Sequence, residues 1–253
     1  MQEMIKDKLM IKAEESRALM GKLAAVSVAA KINSLLEVTP VINIIFAAAP
    51  SQNEFLENLL QANIDWSRIN AFHMDEYLGL DASAPQGFGN FLRERLFDKV
   101  AFREVHFLNG NAENPANECT RYAELLELNP VDLVCMGIGE NTHLAFNDPH
   151  VANFNDSVLV KVVDLDLECR VQQVNDGCFE AIEDVPTHAL TLTIPALLRA
   201  AHIFAMVPGE KKASAVYHTL NADVSEKYPS TILRKHPNAI LFVDDKSSVQ
   251  ILN

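Results

Sequence analysis

Short apolar runs alternate with stretches of helical spacing along nearly the whole chain, and this alternation carries most of the structural information. Val41–Phe46, Ile69–Met74, Val105–Leu108, Val131–Met136, Val158–Val163, Ala189–Thr193, His202–Val207 and Ala239–Val243 read as strands. Helical patterns occupy Asn53–Gln61, Gly89–Lys99, Pro115–Leu128, Pro195–Ala200, Lys211–Asn221 and Ser230–Lys235. Ahead of the first strand, Gln2–Leu36 reads as an amphipathic helical region that Thr39-Pro40 stops. Apolar strands separated by helices predict an α/β fold with a mainly parallel sheet covered on both faces. No linker, repeat or charge block interrupts the series, so residues 1–253 are expected to form a single domain.

Composition narrows the class of partner. With 49% hydrophobic and 22% charged residues the chain is ordinary for a folded protein, but its formal charge is −13. Nonspecific nucleic-acid binding and adhesion to an anionic membrane both rest on clustered Lys and Arg, so neither is expected. An anionic substrate must then be held by local groups against the overall field. Cys119, Cys135, Cys169 and Cys178 are far apart without CxxC spacing, which predicts reduced, mostly buried thiols rather than disulfides or a zinc site. The N-terminal segment lacks a signal-peptide core and the longest apolar run, Val41–Pro50, is too short to span a bilayer, so a cytoplasmic protein is expected.

Two strand ends carry the candidate chemistry. Val131–Met136 runs into Gly137 and Gly139 and then presents Glu140, Asn141, His143, Asn147 and Asp148; Ile69–Met74 runs into Asp75, Glu76 and Tyr77. Parallel strands deliver their C-terminal ends to a crevice where α/β proteins bind ligands, and a carboxylate with an imidazole supplies two proton-handling groups. Adjacent Asp75 and Glu76 point to opposite sides of a strand, so only one faces a given substrate. Each piece also has a plainer reading, Asp75-Glu76 as a solvated strand end and Phe146–Pro149 as a turn. Asp81–Gly89, rich in Pro, Gly and Ser, reads as an irregular rim or lid.

Two further turns are candidates for binding an anion. Ala47–Gln52 sits where helix-terminal amides often meet phosphate, and Ser51 either caps the next helix or donates to a phosphate oxygen. Val207–Ala213 repeats the strand-glycine-helix pattern and adds Lys211 and Lys212, each either a phosphate contact or a solvated helical lysine.

Taken in order, FHMDEYLGL, GIGENTHLAFNDP, VPTHALTLTIPALL, VPGEKKA and STILRKHPNAILFVDD resemble the glucosamine-6-phosphate deaminase/isomerase family along most of the chain. The resemblance implies a three-layer, Rossmann-like α/β fold and a reaction on an aminosugar phosphate that proceeds through a cis-enolamine to a ketose phosphate and ammonia. It implies Asp75 as the base between C1 and C2, His143 in ring opening and Asp148 as its positioner. Asn141 would stand beside the imidazole, where the family commonly has Asp followed by Gly and this chain has Asn141-Thr142. Ala48, Ala49, Ser51 and Gln52 would line the phosphate turn, Gly137 would border the sugar and Lys212 would contact the phosphate. The family's phosphate arginine falls near Val174, where no cation stands, which leaves three readings open: Arg170 or Lys211 compensates from another position, the phosphate is bound differently, or the substrate is not the usual one. No cofactor or metal is implied; the partner is a small phosphosugar, and a homo-oligomer is left open. Two other readings are a 6-phosphogluconolactonase-like hydrolase and a noncatalytic sugar-phosphate sensor.

Overall fold

The computed structural model describes residues 2–251. Only the second part of the expected Gln2–Leu36 helix forms. The first part is a hairpin, β1 (Gln2–Lys6) antiparallel to β2 (Leu9–Ala13), turned through Asp7 at φ 53°. Leu9, Ile11 and Ala13 are buried at alternate positions, the period of a strand rather than a helix. Ser16 then caps α1 (Arg17–Leu36), its hydroxyl accepting from the Leu19 amide. By length and composition α1 is apolar enough to cross a membrane, yet Met20, Ala24, Val28 and Ile32 are fully buried in the core.

The chain continues through β3 (Ile42–Phe46), α2 (Asn53–Leu60), β4 (Ile69–His73), β5 (Asp75–Tyr77) and α3 (Phe88–Leu92), which a π turn prolongs to Phe97. Next come β6 (Glu104–His106), α4 (Pro115–Leu128), β7 (Leu133–Met136), β8 (Val160–Asp164), α5 (Leu167–Asn175) and β9 (His188–Leu192). The last elements are α6 (Ile194–Leu198), β10 (His202–Val207), α7 (Ala213–Asn221) and β11 (Ala239–Val243). The expected helix at Ser230–Lys235 is a 3-10 segment spanning Pro229–Lys235. Sequence pattern did not anticipate α5, whose signal is the Asp166 carboxylate accepting from the Cys169 amide.

The main sheet has eight strands in the order β1-β2-β11-β10-β7-β3-β4-β6, and every neighbouring pair except β1–β2 is parallel. The expected fold class is therefore the observed one. Two runs expected in this sheet are elsewhere: β8 and β9 join β5 in a separate antiparallel sheet, ordered β5-β9-β8. A short apolar run marks a strand but not its partner, so sheet membership was not readable from pattern.

Alternate residues of each strand feed opposite layers. On β3, Ile42, Ile44 and Phe46 pack with α1, α2 and α3, whereas Ile45 packs with α4, α6 and α7 residues on the other face. Each such side chain, fully buried, contributes about 1.5–3 kcal/mol relative to exposure. The two layers fix the strand ends. From β3 the chain moves outward to β4 and β6, then returns to β7 on the other side of β3. Strand order thus reverses between β3 and β7, the place where open α/β sheets bind ligands.

Candidate active site

A crevice of about 890 Å3 opens over the C-terminal ends of the main sheet, and the segments following β2, β3, β4, β7, β10 and β11 all line it. Asp75 and His143, far apart in sequence, face this one cavity, as do Ala48, Ala49, Ser51, Gly137 and Lys212.

Asp75 begins β5 and is buried against Thr191 of β9, its register partner. Burial first, and then the neighbouring Glu76 carboxylate, push the Asp75 pKa well above the ordinary carboxylate range. A carboxylate in that setting is a strong base once ionised. Glu76 points away from the crevice, as adjacent residues on a strand must. Its oxygens accept from the amides of Tyr77 (2.9 Å), Phe88 (3.1 Å) and Gly89 (2.8 Å), which caps α3. Of the expected rim or lid at Asp81–Gly89, only Phe88 reaches the crevice wall; Asp81, Ala82, Gly87 and Gly89 border a smaller hollow around Glu76 instead. His73, also near Glu76, is fully buried, and burial followed by the charge on Arg93 pushes its pKa down to about 3, so it remains a neutral ring.

The loop after β7 places the imidazole. Gly139 donates to the His143 carbonyl at 3.0 Å and Thr142 donates to the Gly139 carbonyl at 3.0 Å, closing a tight turn. A Cβ on Gly139 would lie 2.2 Å from the His143 ring, so only glycine lets the ring lie this close. Nδ1 of His143 is 2.9 Å from Asp148 Oδ1, close enough to pair although not aligned as a hydrogen bond. Burial alone would raise the Asp148 pKa; its contacts with His143, Asn141 and the Asp166 amide override this and hold it below the usual range.

Asn141 does not flank the imidazole as expected. Its amide donates to Asp148 Oδ1 at 3.0 Å and to Asp166 Oδ2 at 3.2 Å, while its carbonyl oxygen accepts from the His143 backbone N–H at 3.1 Å. The charged partner of the ring is Asp148, and Asn141 holds that partner in place. Thr142 has φ 73°, a left-handed conformation that favours glycine and strains a β-branched residue.

The turn after β3 forms a second wall. Ala47 donates to the Cys135 carbonyl at 2.9 Å, and a 3-10 turn at Pro50–Gln52 leads into α2. Ser51 does not cap α2; its hydroxyl oxygen accepts from Gln52 Nε2 at 3.0 Å and its side chain lines the crevice. Gln52, fully buried, also donates to the Met206 carbonyl at 3.3 Å and so ties this turn to β10 behind the crevice. A Cβ on Gly137 would lie 3.3 Å from Gln52 and 3.4 Å from Ser51, so Gly137 marks where the two walls approach.

The cations divide sharply. Lys212 is 7% exposed, and while its backbone N–H donates to the Gly209 carbonyl at 3.0 Å, its ammonium has no hydrogen bond or ion pair to any described residue. Burial pushes its pKa down, while Asp176 and Glu140 act in the opposite sense. Arg170 is not in the crevice, against expectation: its guanidinium donates to the carbonyls of Ile182 (2.6 Å) and Val185 (3.0 Å) and fastens that turn to α5. Lys211 is at the rim and donates to the Asn175 carbonyl at 3.2 Å. Sequence reading passed over Arg17, a crevice residue at the first turn of α1, because the hairpin that carries it there was itself unrecognised.

Sequence spacing gave no metal motif, but folding gathers ligand atoms of His143, Asp148 and Cys169 within 4.8 Å of one another, and likewise those of Asp148, His150 and Asp166. Burial, then Asp148 and Asp166, raise the Cys169 pKa well above the thiol range, which keeps it protonated. The four cysteines are free, two of them buried.

Comparison with known proteins gives the family and the fold. The family profile described as glucosamine-6-phosphate isomerases/6-phosphogluconolactonase matches residues 14–242. The chain is 36% identical over 184 residues to the glucosamine-6-phosphate deaminase of Exiguobacterium sp., covering 73% of this chain and 70% of that one. It is equally similar to the glucosamine-6-phosphate deaminase of Bacillus cereus (strain B4264), of which it covers 68%. Among solved structures, a monomeric glucosamine-6-phosphate deaminase superimposes with a TM-score of 0.87 at 26% identity, covering 94% of this chain and 98% of that one. The 6-phosphogluconolactonase of Thermotoga maritima shares the fold, with a TM-score of 0.75 at 21% identity over 94% of this chain and 100% of that one.

Proposed function

Because the chain belongs to the glucosamine-6-phosphate isomerase/6-phosphogluconolactonase family, we propose that it converts a hexosamine 6-phosphate to a ketohexose 6-phosphate and ammonia. The observation that carries this reading is the convergence of Asp75 and His143 on one crevice. His143 relays the proton that opens the sugar ring: Asp148 stands behind Nδ1, which leaves Nε2 for the ring oxygen. Asp75 then takes the proton from C2 and returns it to C1 through a cis-enolamine, and water releases ammonia from the resulting C2 iminium. A buried carboxylate with a raised pKa suits proton abstraction next to an electron-poor carbon. These steps are proton transfers and one hydrolysis, so no cofactor enters them. The partner is a small phosphosugar, and the setting is the cytoplasm.

Deamination is favoured over lactone hydrolysis because the relatives at 36% identity are deaminases, whereas the lactonase named above is similar at the level of fold. Ammonia release from glucosamine 6-phosphate and galactosamine 6-phosphate, followed in a coupled assay, tests the reading. Turnover of either supports it. Hydrolysis of 6-phosphogluconolactone without ammonia release from any hexosamine phosphate would overturn it, and so would tight sugar-phosphate binding with no turnover.

A further inference from the structure

Carboxylates outnumber cations around the crevice, so a substrate's phosphate is held only where a cation is aimed at it. Lys212 is one such group, buried and unpartnered. A single ammonium is a point charge, and a phosphate dianion presents three oxygens. The crevice-facing end of α5 provides Asn175 and Asp176 and no cation. Arg170 is committed to two carbonyls, and Lys211 and Lys246 are exposed at the rim.

Arg17 is placed differently. It stands half-buried on the crevice wall next to the β3 turn, where Nε donates to Glu54 Oε1 at 2.7 Å and Nη2 donates to the Pro50 carbonyl. Nη1 has no hydrogen bond to any described residue. The contact to Pro50 holds the guanidinium at the residue before Ser51, which lines the same crevice and whose hydroxyl proton is free to donate because its oxygen is what Gln52 engages. The backbone amides of Arg17 and Ala18, in the first turn of a long helix, have no acceptor within that helix and lie on the same wall.

We propose that Arg17 is the second cation of the anion subsite, closing on the substrate's phosphate from the α1 side while Lys212 and Ser51 hold it from below. The inference rests on the deaminase reading for the identity of the ligand but not for the subsite itself, which would take any phosphomonoester. Glu54 is then a competitor: its carboxylate, one oxygen of which is buried without a partner, engages the guanidinium until phosphate arrives.

Titration of inorganic phosphate into the full chain by calorimetry separates the possibilities. Arg17→Ala is expected to weaken phosphate binding about tenfold to a hundredfold, the range for loss of a charge-assisted contact. Arg17→Lys, which keeps the charge and loses the fork, should fall between. Glu54→Gln should tighten phosphate binding severalfold, because it removes the competing charge and keeps an acceptor for Arg17. A purely structural clamp predicts the reverse sign for Glu54→Gln. In turnover, Arg17→Ala should raise KM for glucosamine 6-phosphate about as much as it weakens phosphate binding, with kcat within about threefold. Unchanged phosphate affinity in both Arg17 variants, or weaker binding in Glu54→Gln, would overturn the assignment. A wild-type protein that binds phosphate through Arg17 yet releases no ammonia would leave the subsite standing and remove the deaminase reading alone.

Discussion

Asn141 donates its side-chain amide to Asp148 at 3.0 Å, and this bond, rather than any contact with the imidazole, defines what residue 141 does. The family resemblance places residue 141 beside the imidazole of His143, at a position where a carboxylate is common. In the fold it would instead sit against Asp148 and Asp166, losing two donated bonds and adding a third negative charge. Asn141→Asp is therefore predicted to destabilise the protein by about 2 kcal/mol or more at neutral pH. The sign with pH follows from Asp148. Its pKa lies below the unfolded value in the wild type, so it contributes stability at all pH above the ordinary carboxylate range and loses it as pH falls through the folded value. The variant should forfeit that contribution, so the deficit should be larger at pH 7 than at pH 3, where protonation of Asp148 has already removed part of it from the wild type. Urea unfolding at the two pH values checks this, and equal stability of the two proteins would show that residue 141 is solvated instead.

Asp75→Asn separates function from stability. The amide keeps the shape and removes the base, so turnover should be abolished while phosphate binding persists. Asp75 has a folded pKa above its unfolded one, so the folded state binds the extra proton and stability declines as pH rises from about 4 through the folded value. The substitution should remove that decline. Asp75→Asn is expected to unfold at higher denaturant than wild type at pH 8, by about 1 kcal/mol, with the gap closing toward pH 4. Wild-type ammonia release in this variant would exclude Asp75 from the proton transfer.

Position 142 shows how a local rule can be broken near a site. Thr142 occupies φ 73° with its hydroxyl buried and unpartnered, held there because its carbonyl accepts from Ser230 and its amide bonds Gly139. A β-branched residue in that conformation costs about 1–3 kcal/mol, partly offset for glycine by greater unfolded-state freedom. Thr142→Gly should stabilise the chain by about 1 kcal/mol, measured as a rise in Tm or in the urea midpoint. A loss of stability would mean that the threonine methyl packs well enough to outweigh the strain.

Much of this site was legible because its parts are strand ends. Apolar runs ending in Asp75 and in Gly137–His143 announce parallel strands, and parallel strands share one end, so convergence of the two could be argued without coordinates. What escaped was decided by long-range pairing. Residues Met4, Leu9 and Ile11 fit helical and strand periods equally over so short a span, and the pairing of β2 with β11 settles which one forms. With that hairpin unrecognised, Arg17 could not be placed on the crevice. Val158–Val163 and Ala189–Thr193 were read as strands, but only tertiary structure assigns them to the second sheet with β5. Arg170 was nominated by proximity in sequence to the phosphate position; a helix turns neighbouring residues to different sides, and α5 turns this one onto Ile182 and Val185.

Gly139 offers the sharpest test of the imidazole's placement. A Cβ there would lie 2.2 Å from Cε1 and 2.3 Å from both ring nitrogens of His143, a distance no packed atoms sustain, so the ring must move. The ring's other constraint is Asp148, 2.9 Å from Nδ1, and a displacement of 1 Å breaks that contact as well as the approach to the sugar. Gly139→Ala is predicted to lower kcat by about a hundredfold or more, the range for loss of a positioned acid-base group, and to destabilise by about 1–3 kcal/mol through overpacking. Lys212 and Ser51 lie on other segments, so inorganic phosphate should bind the variant with nearly wild-type affinity. A folded Gly139→Ala protein with undiminished kcat would mean that ring opening does not depend on His143 in this position, and the proton relay would have to be assigned to another group in the crevice.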